Sequence, residues 1–258
     1  MTNILIADFI ILLFVFMRIA GMIFSAPIFA HNSIPVLAKI FLALIIAYIT
    51  FLTIDKSKII VDINLITLVI YSIRELITGL IIGYVMNFIF WGVAYAGTYI
   101  GFDMGLMLAE VLNPMEEIQS NIIGEILYYT SILIFILING HHYVISGIVV
   151  SFQVVPIGKY VINSSVYQLI IKYSFVVFTI AIKIASPIIV SFFLIHLAES
   201  IIARVIPQIQ IIFVSQPLKS GIGILLLLSL VPFYVYAIKN LLEGYESNLL
   251  QLIRAMGS

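Results

Sequence analysis

The amino-acid sequence predicts an all-α integral membrane protein with about six to eight hydrophobic helices, several of them kinked or broken. Apolar residues make up 63% of the 258-residue chain, against about 45–50% in soluble proteins. Charged residues make up only 9%, against about 25%, so they cannot form a polar shell around a soluble domain. Long apolar runs must then be helices, because a helix satisfies its own backbone hydrogen bonds within lipid.

Charge balance and cysteine content exclude several classes of protein. The 12 basic and 12 acidic residues give a net charge of zero, and no basic stripe is available to bind nucleic acid. The chain has no cysteine, which excludes disulfides, thiol catalysis and cysteine metal sites. The first apolar run contains Asp8 and has no Lys or Arg before it, which favours a first helix over a cleaved signal peptide.

The order of the apolar runs predicts the order of the helices. The first run, residues 4–24, ends ahead of Pro27 and Pro35, and proline disfavours helix at its own position and just before it. Residues 63–108 are too long for one crossing and predict two helices or one long bent helix. The other predicted segments are helical runs at 40–54, 122–138, 143–155, 166–197 and 222–238, a polar connector at 199–221 and an amphipathic tail at 239–258. No linker separates them, so residues 1–258 are predicted to form one domain.

Several charged side chains lie inside the apolar runs, where they need a partner, a cavity or a transport pathway. Lys172 and Lys183 are three helical turns apart and share a face if their helix is continuous. One interpretation is pairing between helices, or long side chains that reach the interface. The alternative is a small-molecule or ion transporter coupled through Asp103, Lys172 and Lys183. The complete set is Arg18, Lys39, Arg74, Glu75, Asp103, Lys172 and Lys183.

Glycines recur at intervals of four along the third apolar run. Small residues at this spacing allow two helices to approach closely, so these positions are predicted to form helix-packing and subunit interfaces. Glu75 lies four residues before the first of them and therefore shares their face. The glycines are Gly79, Gly83, Gly97, Gly101 and Gly105.

A segment rich in methionine and glutamate follows the glycine run. Methionine is flexible and polarisable, so this loop is suited to sealing an opening and adapting to varied cargo; simple gap filling is the alternative. The candidate residues are Leu106, Met107, Leu108, Glu110, Met115, Glu116 and Glu117.

Catalysis has little support in the sequence. His141 and His142 are adjacent and are expected to point in different directions on a helix. Glu116 and Glu117 lack a partner at metal-binding spacing, and the motifs HExxH, GxSxG and the glycine-rich phosphate loop do not occur. We therefore expect a protein that is not an enzyme and that needs no cofactor or metal.

Motifs distributed along the chain resemble those of the FliR/SctT family of type III export-gate proteins. Gln210 departs from the pattern, because the family usually has asparagine there, and Asn113 stands where the family often has aspartate. The resemblance covers essentially the whole chain in order. The matching positions are Arg18, Gly21, Pro27, Glu75, Asn113, Pro114, Gly140, His141, Arg204, Pro207, Gln208, Pro217 and Lys219.

This resemblance implies a noncatalytic subunit, present as one copy in a helical assembly with FliP-type, FliQ-type and FlhB-type subunits. The assembly is implied to lie in the bacterial inner membrane, at the flagellar basal body, and to pass unfolded secreted proteins. A virulence secretion system is an alternative setting. The loop at residues 106–117 maps onto the family's pore plug. Much of the apolar surface is then expected to contact other subunits as well as membrane lipid.

Overall fold

The structure is a computed structural model that describes residues 2–31, 33–54, 64–107, 122–160, 163–206 and 211–257. Within these ranges all regular secondary structure is α-helical, as predicted. Eight helices are present in the described chain, in the order α1 Thr2–Ser25, α2 Val36–Thr53, α3 Leu65–Asp103, α4 Ile122–Leu137, α5 Gly140–Val154, α6 Ser164–Val205, α7 Ile211–Glu243 and α8 Tyr245–Met256.

The first two helices pack against each other and are separated by the two predicted prolines. α1 ends at Ser25, and Pro27 lies in the turn that follows. α2 starts directly after Pro35, whose φ of −55° already suits a helix start. This start makes α2 18 residues long, about 27 Å, which is closer to a membrane thickness of about 30 Å than the shorter predicted run.

The third apolar run forms one helix and not two. α3 contains 39 residues and is about 58 Å long. It ends at Asp103, and the chain turns at residues 104–107. Gly105 therefore lies beyond the helix, with a left-handed φ of +76°, and it does not continue the helical glycine stripe predicted for it.

The Asn-Gly pair at 139–140 separates α4 from α5, as the sequence predicted. Asn139 has a φ of 60°, the left-handed region that asparagine tolerates better than most residues. The new helix starts at Gly140, so the chain is already helical ahead of residue 143. Together the two helices form a bent pair with the composition of one broken membrane span.

The predicted polar connector at residues 199–221 is wrong. α6 continues to Val205 and α7 begins at Ile211, so most of this stretch is helical. The polar side chains that indicated a loop can lie on helices because they pair with each other: Lys219 Nζ is 2.8 Å from a carboxylate oxygen of Glu199. The amphipathic tail forms α8, which starts at Tyr245 because α7 extends to Glu243.

Five helical segments of the described chain are long and apolar enough to cross a membrane, and the bent α4–α5 pair makes a sixth if it counts as one span. The chain divides into two compact units. The first unit comprises residues 1–88, 136–174 and 243–258, and the second comprises residues 89–135 and 175–242.

Candidate functional site

A buried ion pair links α1 to α3 in the first unit. Arg18 and Glu75 are 1% and 0% exposed, and Arg18 Nε donates to Glu75 Oε2 over 2.6 Å. A single buried charge is costly, and removing one member of a buried pair leaves the other uncompensated. Pairing between helices, one of the two interpretations of the intramembrane charges, therefore describes these two residues.

The same arginine caps the carboxyl end of α5. Its Nη1 donates to the Ser151 carbonyl oxygen over 2.9 Å, and its Nη2 donates to the Val155 carbonyl oxygen over 3.0 Å. The Ser151 carbonyl oxygen also accepts the Val155 amide over 2.9 Å, and the arginine adds a second donor to it. A cation at the carboxyl end of a helix is favoured by the helix dipole. The guanidinium also lies 4.2 Å from the centroid of the Phe152 ring, within range of a cation–π contact.

Glu75 and its neighbour Arg74 hold the turn that follows α5. Glu75 Oε1 accepts the Gly158 amide over 2.7 Å, and Arg74 Nη1 donates to the Gly158 carbonyl oxygen over 3.0 Å. Gly158 has a φ of +74°, and a Cβ at this position would lie 2.7 Å from Cδ2 of Tyr71. Only glycine can adopt this left-handed φ easily and also leave space for the Tyr71 ring. Burial of Tyr160, just beyond, raises the pKa of its phenol.

Small and polar residues at intervals of four along α3 pack on α1. A Cβ on Gly79 would collide with the backbone oxygen of Arg18, and a Cβ on Gly83 would collide with the hydroxyl of Ser25. Asn87, one further step along, donates from Nδ2 to the Ser25 carbonyl oxygen. The structure thus places Glu75 on the glycine face, where the spacing predicted it. Asn87 was not predicted, although the same spacing marks it.

The remaining predicted glycines, all in the second unit, have different surroundings. A Cβ on Gly97 would lie 2.5 Å from the Cα of Gly124, so α3 and α4 touch backbone to backbone there. A Cβ on Gly101 would find its nearest neighbour, a side-chain atom of Ile123, at 3.8 Å. Gly97 therefore permits a close helix contact, whereas Gly101 leaves room for a methyl group.

The turn after α3 is anchored on α7. Met104 is fully buried, and its carbonyl oxygen accepts the Ser220 hydroxyl over 3.0 Å. Gly223 leaves space for the Met104 side chain, because a Cβ there would lie 2.8 Å from the methionine sulfur. The Gly105 backbone faces the Gln216 side chain. These contacts fix the first stem of the candidate loop within the second unit.

Charged side chains surround this stem. Lys219 pairs with Glu199 at 2.8 Å, and the two side chains are 12% and 18% exposed. Lys219 and His196 both attract Asp103, the last residue of α3. We call Asp103, Met104, Glu199, Lys219 and Ser220 the loop-foot cluster. The sequence singled out Asp103 and Lys219 but missed Glu199, His196 and Ser220, because nothing in their spacing relates α6 to α7.

The lysines of the alternative transporter set lie on the surface of α6. Lys172 and Lys183 are both exposed, whereas Asp103 is half-buried and interacts electrostatically with His196 and Lys219. In the described part of the chain, no three His, Asp or Glu side chains are grouped as a metal site requires. The buried Lys39 donates to the Ala30 carbonyl oxygen over 2.9 Å.

Many of the predicted loop and motif residues lie outside the described residues. Leu106 and Met107 are described, and both are half-buried in the turn after α3. The predicted residues outside the described ranges are Leu108, Glu110, Met115, Glu116, Glu117, Asn113, Pro114, Pro207 and Gln208.

The other family-motif positions are spread over the helices. Gly21 packs on α3, where its Cβ would lie 2.5 Å from the Leu76 carbonyl oxygen. Arg204 and Pro217 are exposed, at the end of α6 and near the start of α7. Gly140 and His141 begin α5. The rings of His141 and His142 lie 4.2 Å apart and are tilted by 57°, so the expectation that they point in different directions is wrong at this helix start.

Comparison with known proteins gives one consistent answer over most of the chain. The chain is similar to proteins named flagellar biosynthetic protein FliR. It is 30% identical to the protein from Bacillus subtilis over 249 residues, which cover 95% of each chain. It is 28% identical to the Escherichia coli protein over 84% of this chain and 82% of that one, and 25% identical to the Aquifex aeolicus protein over 92% and 91%. Because the family profile of the bacterial export proteins, family 1, also matches residues 9–245, this chain belongs to that family.

Proposed function

We propose that this chain is a noncatalytic subunit of the flagellar protein export gate. It assembles with FliP-type, FliQ-type and FlhB-type subunits in the bacterial inner membrane, and it helps to form and seal the pore through which unfolded flagellar proteins pass. The observation that carries the proposal is similarity over 95% of the chain to a protein named flagellar biosynthetic protein FliR. Helices of membrane-spanning length and composition support the location.

Residues 106–117 are the segment that we assign to sealing the pore. The support comes from its two stems and from its composition. The first stem is anchored on α7 through the Met104 carbonyl and Ser220. On the other side of the segment, Gly124 of α4 packs on α3 at Gly97. Packed helices therefore flank the segment on both sides, and methionines such as Met107 and Met115 are flexible enough to adapt to a passing chain.

Replacement of this loop tests the proposal. Residues 106–117 are exchanged for a Gly/Ser linker of equal length in the complete export gate. We expect the subunits to copurify as before and the membrane conductance to ions to rise, because the stems remain but the deformable side chains are gone. The matched control exchanges residues 55–62, the segment between α2 and α3 that contains Asp55, Lys56 and Lys58, and should leave the conductance at the wild-type level. Unchanged conductance in the first variant, with the gate assembled, would remove the sealing assignment.

A further inference from the structure

The loop-foot cluster joins three helices at the point where the candidate sealing loop begins. Ser220 on α7 bonds directly to the Met104 carbonyl over 3.0 Å. The adjacent Lys219 pairs with Glu199 on α6 at 2.8 Å and also attracts Asp103 at the end of α3. The turn at residues 104–107 is therefore bonded to α7, and α7 is paired with α6 at the adjacent residue.

The ion pair in this cluster is incompletely satisfied. One carboxylate oxygen of Glu199, Oε2, accepts Lys219. The other, Oε1, is buried and meets no hydrogen-bond donor in the described part of the chain. A partly satisfied buried network is less stable than a complete one, because the unpaired oxygen has lost water without gaining a partner. The Glu199–Lys219 pair is therefore expected to open at a lower free-energy cost than a fully hydrogen-bonded pair.

We propose that Glu199, Lys219 and Ser220 are positioning residues that form a latch for the loop. In the resting state they hold the turn at residues 104–107 against α7, and with it the first stem of the seal. Release of the Glu199–Lys219 pair frees the part of α7 that carries Lys219 and Ser220 from α6, and this weakens its contacts to Asp103 and Met104. The sealing role of the latch rests on the proposed function; the attachment of the stem does not.

Amide hydrogen exchange in the purified, fully assembled gate tests the latch directly. The variants are Glu199→Gln, Lys219→Met and Ser220→Ala. We expect the amides of residues 104–107 to exchange about fivefold faster in each, the ratio that corresponds to loss of about 1 kcal/mol for one such interaction. Glu199→Gln combined with Lys219→Met should exchange no faster than Lys219→Met alone, because both changes remove the same ion pair. Two independent losses of stability would instead multiply their effects on the exchange rate.

Matched controls are available on the same two helices. Lys183→Met removes an exposed lysine from α6, and Ser229→Ala removes an exposed hydroxyl that donates only to the Leu226 carbonyl of its own helix. Neither should change exchange at residues 104–107. The latch is wrong if all three cluster variants exchange at the control rate there. It is also wrong if the double variant Glu199→Gln, Lys219→Met exchanges as fast as the product of the two single effects.

Ion conductance separates the latch from the sealing role. We expect leakage in the latch variants to lie between that of the wild type and that of the Gly/Ser loop replacement. If the loop replacement itself does not leak, the proposed seal fails, and exchange still decides whether the stem is latched. If the replacement leaks while the latch variants show neither leakage nor faster exchange, only the latch fails.

Discussion

At the scale of single residues, the buried arginine of α1 shows what the sequence could and could not predict. A charge inside an apolar run indicates a partner, and Arg18 has one in Glu75. Its other partners are the backbone carbonyls of Ser151 and Val155. Backbone groups carry no sequence signal, so this part of the site could not be predicted. The bond from the Gly158 amide to Glu75 could not be predicted for the same reason.

Removal of Arg18 is predicted to destabilise the protein strongly. Arg18→Met leaves the Glu75 carboxylate buried without a cation, a change that costs about 3–5 kcal/mol. Arg18→Met combined with Glu75→Leu should cost less than the sum of the two single changes, because no unpaired charge remains. The measurement is the free energy of unfolding in detergent. Lys172→Met, at an exposed position, should stay within about 0.5 kcal/mol of the wild type; equal losses for it and Arg18→Met would contradict the assigned role.

At the scale of helices, hydropathy located the segments better than their ends. The hydropathy-based prediction of a connector between α6 and α7 is wrong, because Glu199 and Lys219 lower the local hydropathy. In the structure these two charges lie on different helices and neutralise each other. A hydropathy value averaged over a short stretch of sequence does not include an ion-pair partner twenty residues away. Glycine spacing shows the same limit: it marks Gly97 and Gly101 equally, yet only Gly97 touches the backbone of another helix.

The two glycines are therefore predicted to respond differently to alanine. Gly97→Ala pushes a methyl group into the Cα of Gly124, 2.5 Å away, and such overpacking costs about 1–3 kcal/mol. Gly101→Ala has room at 3.8 Å and gains up to about 1 kcal/mol of helix propensity. Thermal unfolding in detergent distinguishes them. A Gly101→Ala variant as unstable as Gly97→Ala would contradict the difference in packing.

Gly101→Leu tests the subunit interface predicted for this stretch. The larger side chain is expected to force neighbouring helices apart and to abolish copurification with the FliP-type and FliQ-type subunits. Gly101→Ala, which fits within the chain itself, is the matched control and should copurify as the wild type does. Normal copurification of Gly101→Leu would refute the interface at this position.

At the scale of the whole molecule, the large apolar side chains left exposed on α6 and α7 limit how the chain can exist alone. Phe193, Leu194, Leu225 and Leu228 are each 59–68% exposed. Apolar exposure of this extent is suited to lipid or to other subunits and is unsuited to water. Composition alone predicted this surface; which parts of it meet lipid and which meet protein depends on partners that one sequence does not contain.

The gate and transporter interpretations differ in what the isolated chain does in a bilayer. A transporter carries its substrate by itself, and its coupling residues lie in protected positions between helices. Lys172 and Lys183 are exposed instead, and a gate subunit needs its partners to enclose a pore. We therefore expect liposomes containing only this chain to show no solute or ion uptake above that of empty liposomes. We also expect Lys172→Met and Lys183→Met to leave export by the assembled gate unchanged. Uptake by the chain alone, abolished by either lysine substitution, would establish the transporter in its place.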